Sequence, residues 1–138
     1  MNNDGEWTNG RMNSFIMSTL RSGMRRWPPF WKAHKAASEG KSINPKTGRV
    51  AEHKKCASCH KNLPTKEVQV DHIIPVVDPA TGFVSWDETI YRLYCDTSNL
   101  QVLCKACHLI KTKADKALRK EPVKETKRVA TKRIRSKR

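Results

Sequence analysis

Asp71 and His72 stand side by side at the end of a strand-like run, Asn99 precedes a second such run, and His108 directly follows Cys107. Two Cys-x-x-Cys pairs, Cys56/Cys59 and Cys104/Cys107, bracket the first three. These residue types could hydrolyse a phosphodiester. An imidazole that is neutral at cellular pH can take a proton from an attacking water, the role open to His72. A carboxylate such as Asp71 is a hard oxygen ligand suited to Mg2+ or Mn2+. Four thiolates can hold one zinc tetrahedrally, with each x-x spacing presenting two sulfurs at one point.

Each residue also has a plainer reading. A lone histidine in an apolar strand is by default a packed one, and Asp71 could be a surface carboxylate at a strand end. Neighbours in a regular strand point to opposite faces, so Asp71 and His72 can share a site only if the strand twists or stops there. Ile74-Pro75 just beyond is consistent with a stop. His108 sits about 200° around a helix from Ala106 and Ile110, off the apolar stripe, as a residue presented to a groove would.

The cysteine pairs are separated by more than the zinc-ribbon gap of about 15–20 residues. The extra length holds Asp71, His72 and Asn99, so a metal there would clamp the base of the segment that carries them. Such a metal can contribute about 10–16 kcal/mol of apparent binding free energy to folding. Redox or disulfide pairing is the alternative use of the same spacing. Cys95, the fifth cysteine, reads as an apolar packing residue.

The elements that must position these groups give an α+β expectation. A helix is predicted over 13–27, capped by Asn13 or Ser14 and ended by Pro28-Pro29, with a second over about 30–38 closing at Gly40. Arg49 to His53 and Glu67 to Ile73 read as strands, the latter by its period-two alternation. Ser85 and Glu88 form a capping-box pattern opening a helix whose buried side would be Trp86, Ile90, Leu93 and Tyr94. Leu100 to Leu103 is a further strand. A final helix runs from Lys105 to about Leu118 with Ala106, Ile110, Ala114, Ala117 and Leu118 as its apolar stripe. Three regions follow: a helical arm over 1–48, a core over 49–118, and a basic tail over 119–138 that reads as disordered.

The net charge of +15 over 138 residues points to a polyanionic partner, nucleic acid ahead of anionic membrane. A protein that merely adheres to phosphates would show the same charge. The N-terminus has no apolar h-region and no run is long and apolar enough to span a bilayer, so a cytoplasmic location with reduced thiols is expected.

Residues 56–113 resemble the HNH endonucleases, more closely those of tailed bacteriophages, through Cys56–Cys59, Asp71-His72-Ile73-Ile74-Pro75, Asn99-Leu100-Gln101-Val102-Leu103, Cys104–Cys107, His108 and Lys111-Thr112-Lys113. Arg25-Arg26-Trp27-Pro28-Pro29 resembles the leader of some of them. The resemblance implies a ββα-metal core and cleavage of DNA to 5′-phosphate and 3′-hydroxyl ends, in the host cytosol if the gene is viral. It assigns His72 as general base and Asp71 with His108 as ligands of one catalytic Mg2+ or Mn2+. Asn99 becomes the residue that holds the catalytic loop, and one structural zinc goes to Cys56, Cys59, Cys104 and Cys107. Phage packaging or recombination proteins are the implied partners. Two rivals remain at this point: a non-catalytic zinc-ribbon DNA-binding protein, and a di-haem cytochrome, because both knuckles read CxxCH.

Overall fold

The computed structural model describes residues 5–119, so the tail beyond lies outside the described residues. Helix α1 (Asn9–Gly23) begins earlier than expected, because Thr8 is the cap: its Oγ1 accepts from the Arg11 N–H at 3.2 Å. A 3-10 turn, Met24–Arg26, then leads to α2 (Pro28–Ala36). α1 thus ends at Gly23, short of the expected residue 27, and the prolines instead start α2, since a fixed φ and a missing N–H are harmless in a helix's first turn. Gly40 does not close this helix. It lies within β1 (Ser38–Ile43) at φ 82°, where the pairing with the next strand slips between Ser38 and Lys41. A left-handed glycine serves a bulge as readily as a helix C-terminus.

β1 pairs antiparallel with β2 (Val50–Lys55), which pairs antiparallel with β3 (Asn62–Pro64). A second, two-stranded sheet joins β4 (Val68–His72) to β5 (Leu100–Cys104), with Asp71 opposite Gln101 and His72 opposite Leu100. Their long connection carries α3 (Trp86–Leu93), capped as expected by Ser85, whose Oγ accepts from the Glu88 N–H at 3.2 Å. β5 runs directly into α4, residues 105–119. The fold is α+β. Among the described residues no helix is long and apolar enough to cross a membrane.

One core cluster unites Met24 and Ala33 of the N-terminal region with Leu93 and Leu100, with Leu20, Trp27, Phe30 and Tyr94 packed around it. Two polar ties lock this contact: Trp27 Nε1–H donates to the Cys95 carbonyl at 2.8 Å, and the Tyr94 hydroxyl to the Leu20 carbonyl at 2.5 Å. The first two helices are therefore built onto the β4–β5 hairpin through Leu93 and Leu100.

Two expected apolar faces turn out differently. On α3, Ile90 is exposed while Thr89 is buried, its hydroxyl donating to the Ser85 carbonyl at 2.8 Å. On α4, the stripe of Ala106, Ile110, Ala114, Ala117 and Leu118 faces solvent, and the opposite side meets the hairpin. That side carries His108, Lys111 and Thr112. The cause is Asp71, whose side chain is only 13% exposed and requires cationic partners. An unpaired buried carboxylate costs more than an exposed alanine-rich stripe loses. Accordingly Leu93→Ala, at a position 2% exposed, should lower unfolding stability by about 2–5 kcal/mol. Ile110→Ala, at a position 69% exposed, should change it by less than about 0.5 kcal/mol in the same urea titration.

Candidate active site and metal centre

The Sγ atoms of Cys56, Cys59, Cys104 and Cys107 all lie within 4.8 Å of one another. The chain around each pair explains how. Past β2 the backbone turns back on itself, with the Cys56 N–H on the Lys61 carbonyl (3.0 Å), the His60 N–H on the Cys56 carbonyl (3.0 Å), and His60 in the left-handed region at φ 61°. The Ala57 N–H reaches the Val102 carbonyl at 2.8 Å, fastening this turn to β5. Cys104 ends β5 and Cys107 lies in the first turn of α4, so the cluster joins both sheets and a helix. The backbone N–H groups of Cys104 and Cys107 point at the sulfurs of Cys56 and Cys104, each at 3.4 Å.

Four thiolates about 2.3 Å from a common zinc lie about 3.8 Å apart, and Cys59 and Cys104 are 3.9 Å apart. The four cysteines are thus positioned to bind one metal ion, and their set is consistent with structural zinc. Crowding also separates their acidities. Burial raises the Cys56 thiol, but the N–H groups of Cys104, Cys59 and Ser58 outweigh it and bring the pKa down to about 6. Hydrogen bonding with Cys104, then burial, pushes Cys107 up to about 12. A cation entering the cluster would displace that proton. Cys95 takes no part: it packs against the helical core, where burial pushes its thiol up. The two CxxCH pairs also diverge, since His60 sits in an exposed knuckle while His108 is carried on α4.

Asp71, His72, His108 and Lys111 line one groove of about 410 Å³, with Arg21 on its far wall. Strand β4 ends at His72, which still pairs with Leu100, and both side chains line the groove. Asn99 holds the exit. Its carbonyl accepts from the Ile73 N–H (2.9 Å), its Oδ1 accepts from the Ile74 N–H (2.9 Å), and its Nδ2 donates to the Ile74 carbonyl (3.3 Å).

The His72 ring is fixed by Nε2, 2.8 Å from the Leu93 carbonyl. A carbonyl can only accept, so Nε2 carries a proton, and in the neutral ring the lone pair is left on Nδ1. Asp71 is held from both sides: Oδ2 accepts from Gln101 Nε2 at 3.2 Å and from Lys111 Nζ at 2.7 Å. Lys111 also donates to the backbone carbonyl of His72. His108 Nε2 stands 3.5 Å from Asp71 Oδ1, a separation at which both atoms can reach one ion with ligand distances of about 2.1 Å.

Sequence reasoning named Asp71, His72, Asn99 and His108, and read Lys111 as a phosphate contact or a solvated charge and Arg21 as part of a DNA-contacting arm or a solvated basic face; it missed the ties of Gln101 and Lys111 to Asp71 and the Leu93 carbonyl. Gln101 could have been found as the cross-strand partner of Asp71 once the register was known. The others arise from tertiary packing that carries no local signal. Comparison with the models of known families, with curated proteins and with solved structures yields no match to this chain.

Elemental analysis of the purified protein should find one zinc per chain. Cys104→Ser should lose that zinc together with several of the about 10–16 kcal/mol such a site contributes. Cys95→Ser should keep it.

Proposed function

We propose that this chain is a metal-dependent DNA endonuclease of the HNH type. The observation that carries the reading is the shared groove. There, His72, whose Nε2 lies on the Leu93 carbonyl, lines the same space as Asp71 and His108, whose Oδ1 and Nε2 stand 3.5 Å apart. In this reading His72 Nδ1 takes the proton of the attacking water, and the Leu93 carbonyl stabilises the imidazolium that results. Asn99 keeps the loop after β4 in place and so the direction in which His72 points. Asp71 and His108 would hold one Mg2+ or Mn2+, which when bound would supply Lewis-acid stabilisation of the charge developing on the scissile phosphate and the leaving 3′ oxygen.

Lys111 serves as a positioning residue. Its ammonium spans Asp71 and the His72 backbone, coupling the carboxylate to the base. The net charge of +15 supplies the long-range attraction to a polyphosphate, and the basic residues beyond 119 add to it through counterion release. Zinc is the ion assigned to the four cysteines, and cleavage would leave 5′-phosphate and 3′-hydroxyl ends.

Incubation with supercoiled plasmid and a panel of divalent ions, with an EDTA control, tests this directly. Cleavage should require a divalent ion, and His72→Ala should slow it by about 10²–10⁴-fold while DNA binding persists. Binding without any cleavage would instead identify a zinc-stapled DNA-binding protein.

A further inference from the structure

A second groove of about 890 Å³ opens between α1 and the segment leading into α3, and Arg21 lines both it and the groove of His72. One wall is a stripe of α1: Ser14, Ser18 and Ser22 at four-residue spacing, with Arg21 beside them and Arg25 one turn on. α1 contains no acidic residue, and among the described residues neither arginine has a carboxylate partner. The other wall is aromatic. Phe83, 48% exposed, sets its ring edge-on to Trp86 with centroids 4.9 Å apart.

Guanidinium groups without a carboxylate partner, a row of serines and a half-exposed phenylalanine ring in one channel match a strand of nucleic acid, whose phosphates take the cations and whose bases take the ring. The rings discriminate further. Bases in a duplex are stacked on one another, so Phe83 and Trp86 reach a base face without an unstacking cost only where the base is already out of the helix. We infer that the substrate is DNA with unpaired nucleotides next to the scissile phosphate. The strand passes from the His72 groove over Arg21 into the second groove, where Phe83 and Trp86 stack on an exposed base. This inference rests on the endonuclease reading of the first groove and narrows its substrate from DNA at large to junctions between duplex and single strand.

The test compares a fluorescein-labelled DNA duplex bearing a short oligothymidylate arm with the same duplex left blunt, by fluorescence anisotropy and without added divalent ion. The wild-type protein should prefer the armed duplex by roughly tenfold, as stacking of a base on an aromatic side chain allows. Phe83→Leu with Trp86→Leu, which keep apolar volume but remove the flat faces, should bring the armed duplex down to the affinity of the blunt one. Should the pair lose its circular-dichroism signal, Phe83→Leu alone carries the same expectation, because that ring is half in solvent. Equal wild-type affinity for the two DNAs, or a preference that survives the leucines, overturns the inference. Cleavage in Mg2+ or Mn2+ separates the two levels. A His72→Ala protein that still cuts defeats the endonuclease mechanism without touching the binding result. Loss of the preference alongside His72-dependent cutting defeats the second groove alone.

Discussion

Four sulfurs gathered within 4.8 Å tie the turn after β2 to the last residue of β5 and the first turn of α4. Neither sheet is large: β3 has three residues and the β4–β5 sheet only two strands. Elements this short do not hold a fixed relation through backbone pairing alone. The cluster supplies that relation. Cys56, Leu103 and Cys104 form their own small core, apart from the one centred on Leu93 and Leu100. β5 is anchored in both, at Leu100 by the helices and at Cys104 by the sulfurs.

What this anchoring fixes is the direction in which α4 leaves β5, and with it the distance from His108 to Asp71. The polar side of α4 is then held against the hairpin by Lys111, which binds Asp71 and the His72 backbone together. Asp71 sets the electrostatics of the groove: one largely buried carboxylate draws in Gln101, Lys111 and His108, and the chain gives up contact with its apolar stripe to allow it. The proposed cation site would need such a concentrated negative charge, because the protein as a whole, at +15, repels cations.

Much of this was legible from residue types. The paired CxxC spacing located the cluster, period-two alternation located β4, and the Ser85–Glu88 pattern located the start of α3. The α+β class followed from them. Ambiguous signals misled where one residue type serves two structures. Pro28-Pro29 began the second helix, while the first had already given way to a 3-10 turn after Gly23, and Gly40 bulged a strand instead of capping a helix. Periodicity showed that α4 has two faces but could not show which turns inward, since that depends on the needs of Asp71 thirty-seven to forty positions earlier in the chain. The adjacency of Asp71 and His72 posed a geometric question that the sequence could not answer; both line the groove, and Asn99 clamps Ile73 and Ile74 directly after them.

The proposed cation site at Asp71 and His108 depends on the ion that the four sulfurs would hold, because that ion would keep α4 against the hairpin. Titration of Mn2+ followed by electron paramagnetic resonance, on the zinc-loaded protein and on the same protein stripped of zinc by a thiol-compatible chelator, tests it most directly. The account predicts one bound Mn2+ per chain with zinc present, lost in Asp71→Asn, and none once zinc is removed. Undiminished Mn2+ binding by the zinc-free protein would contradict it.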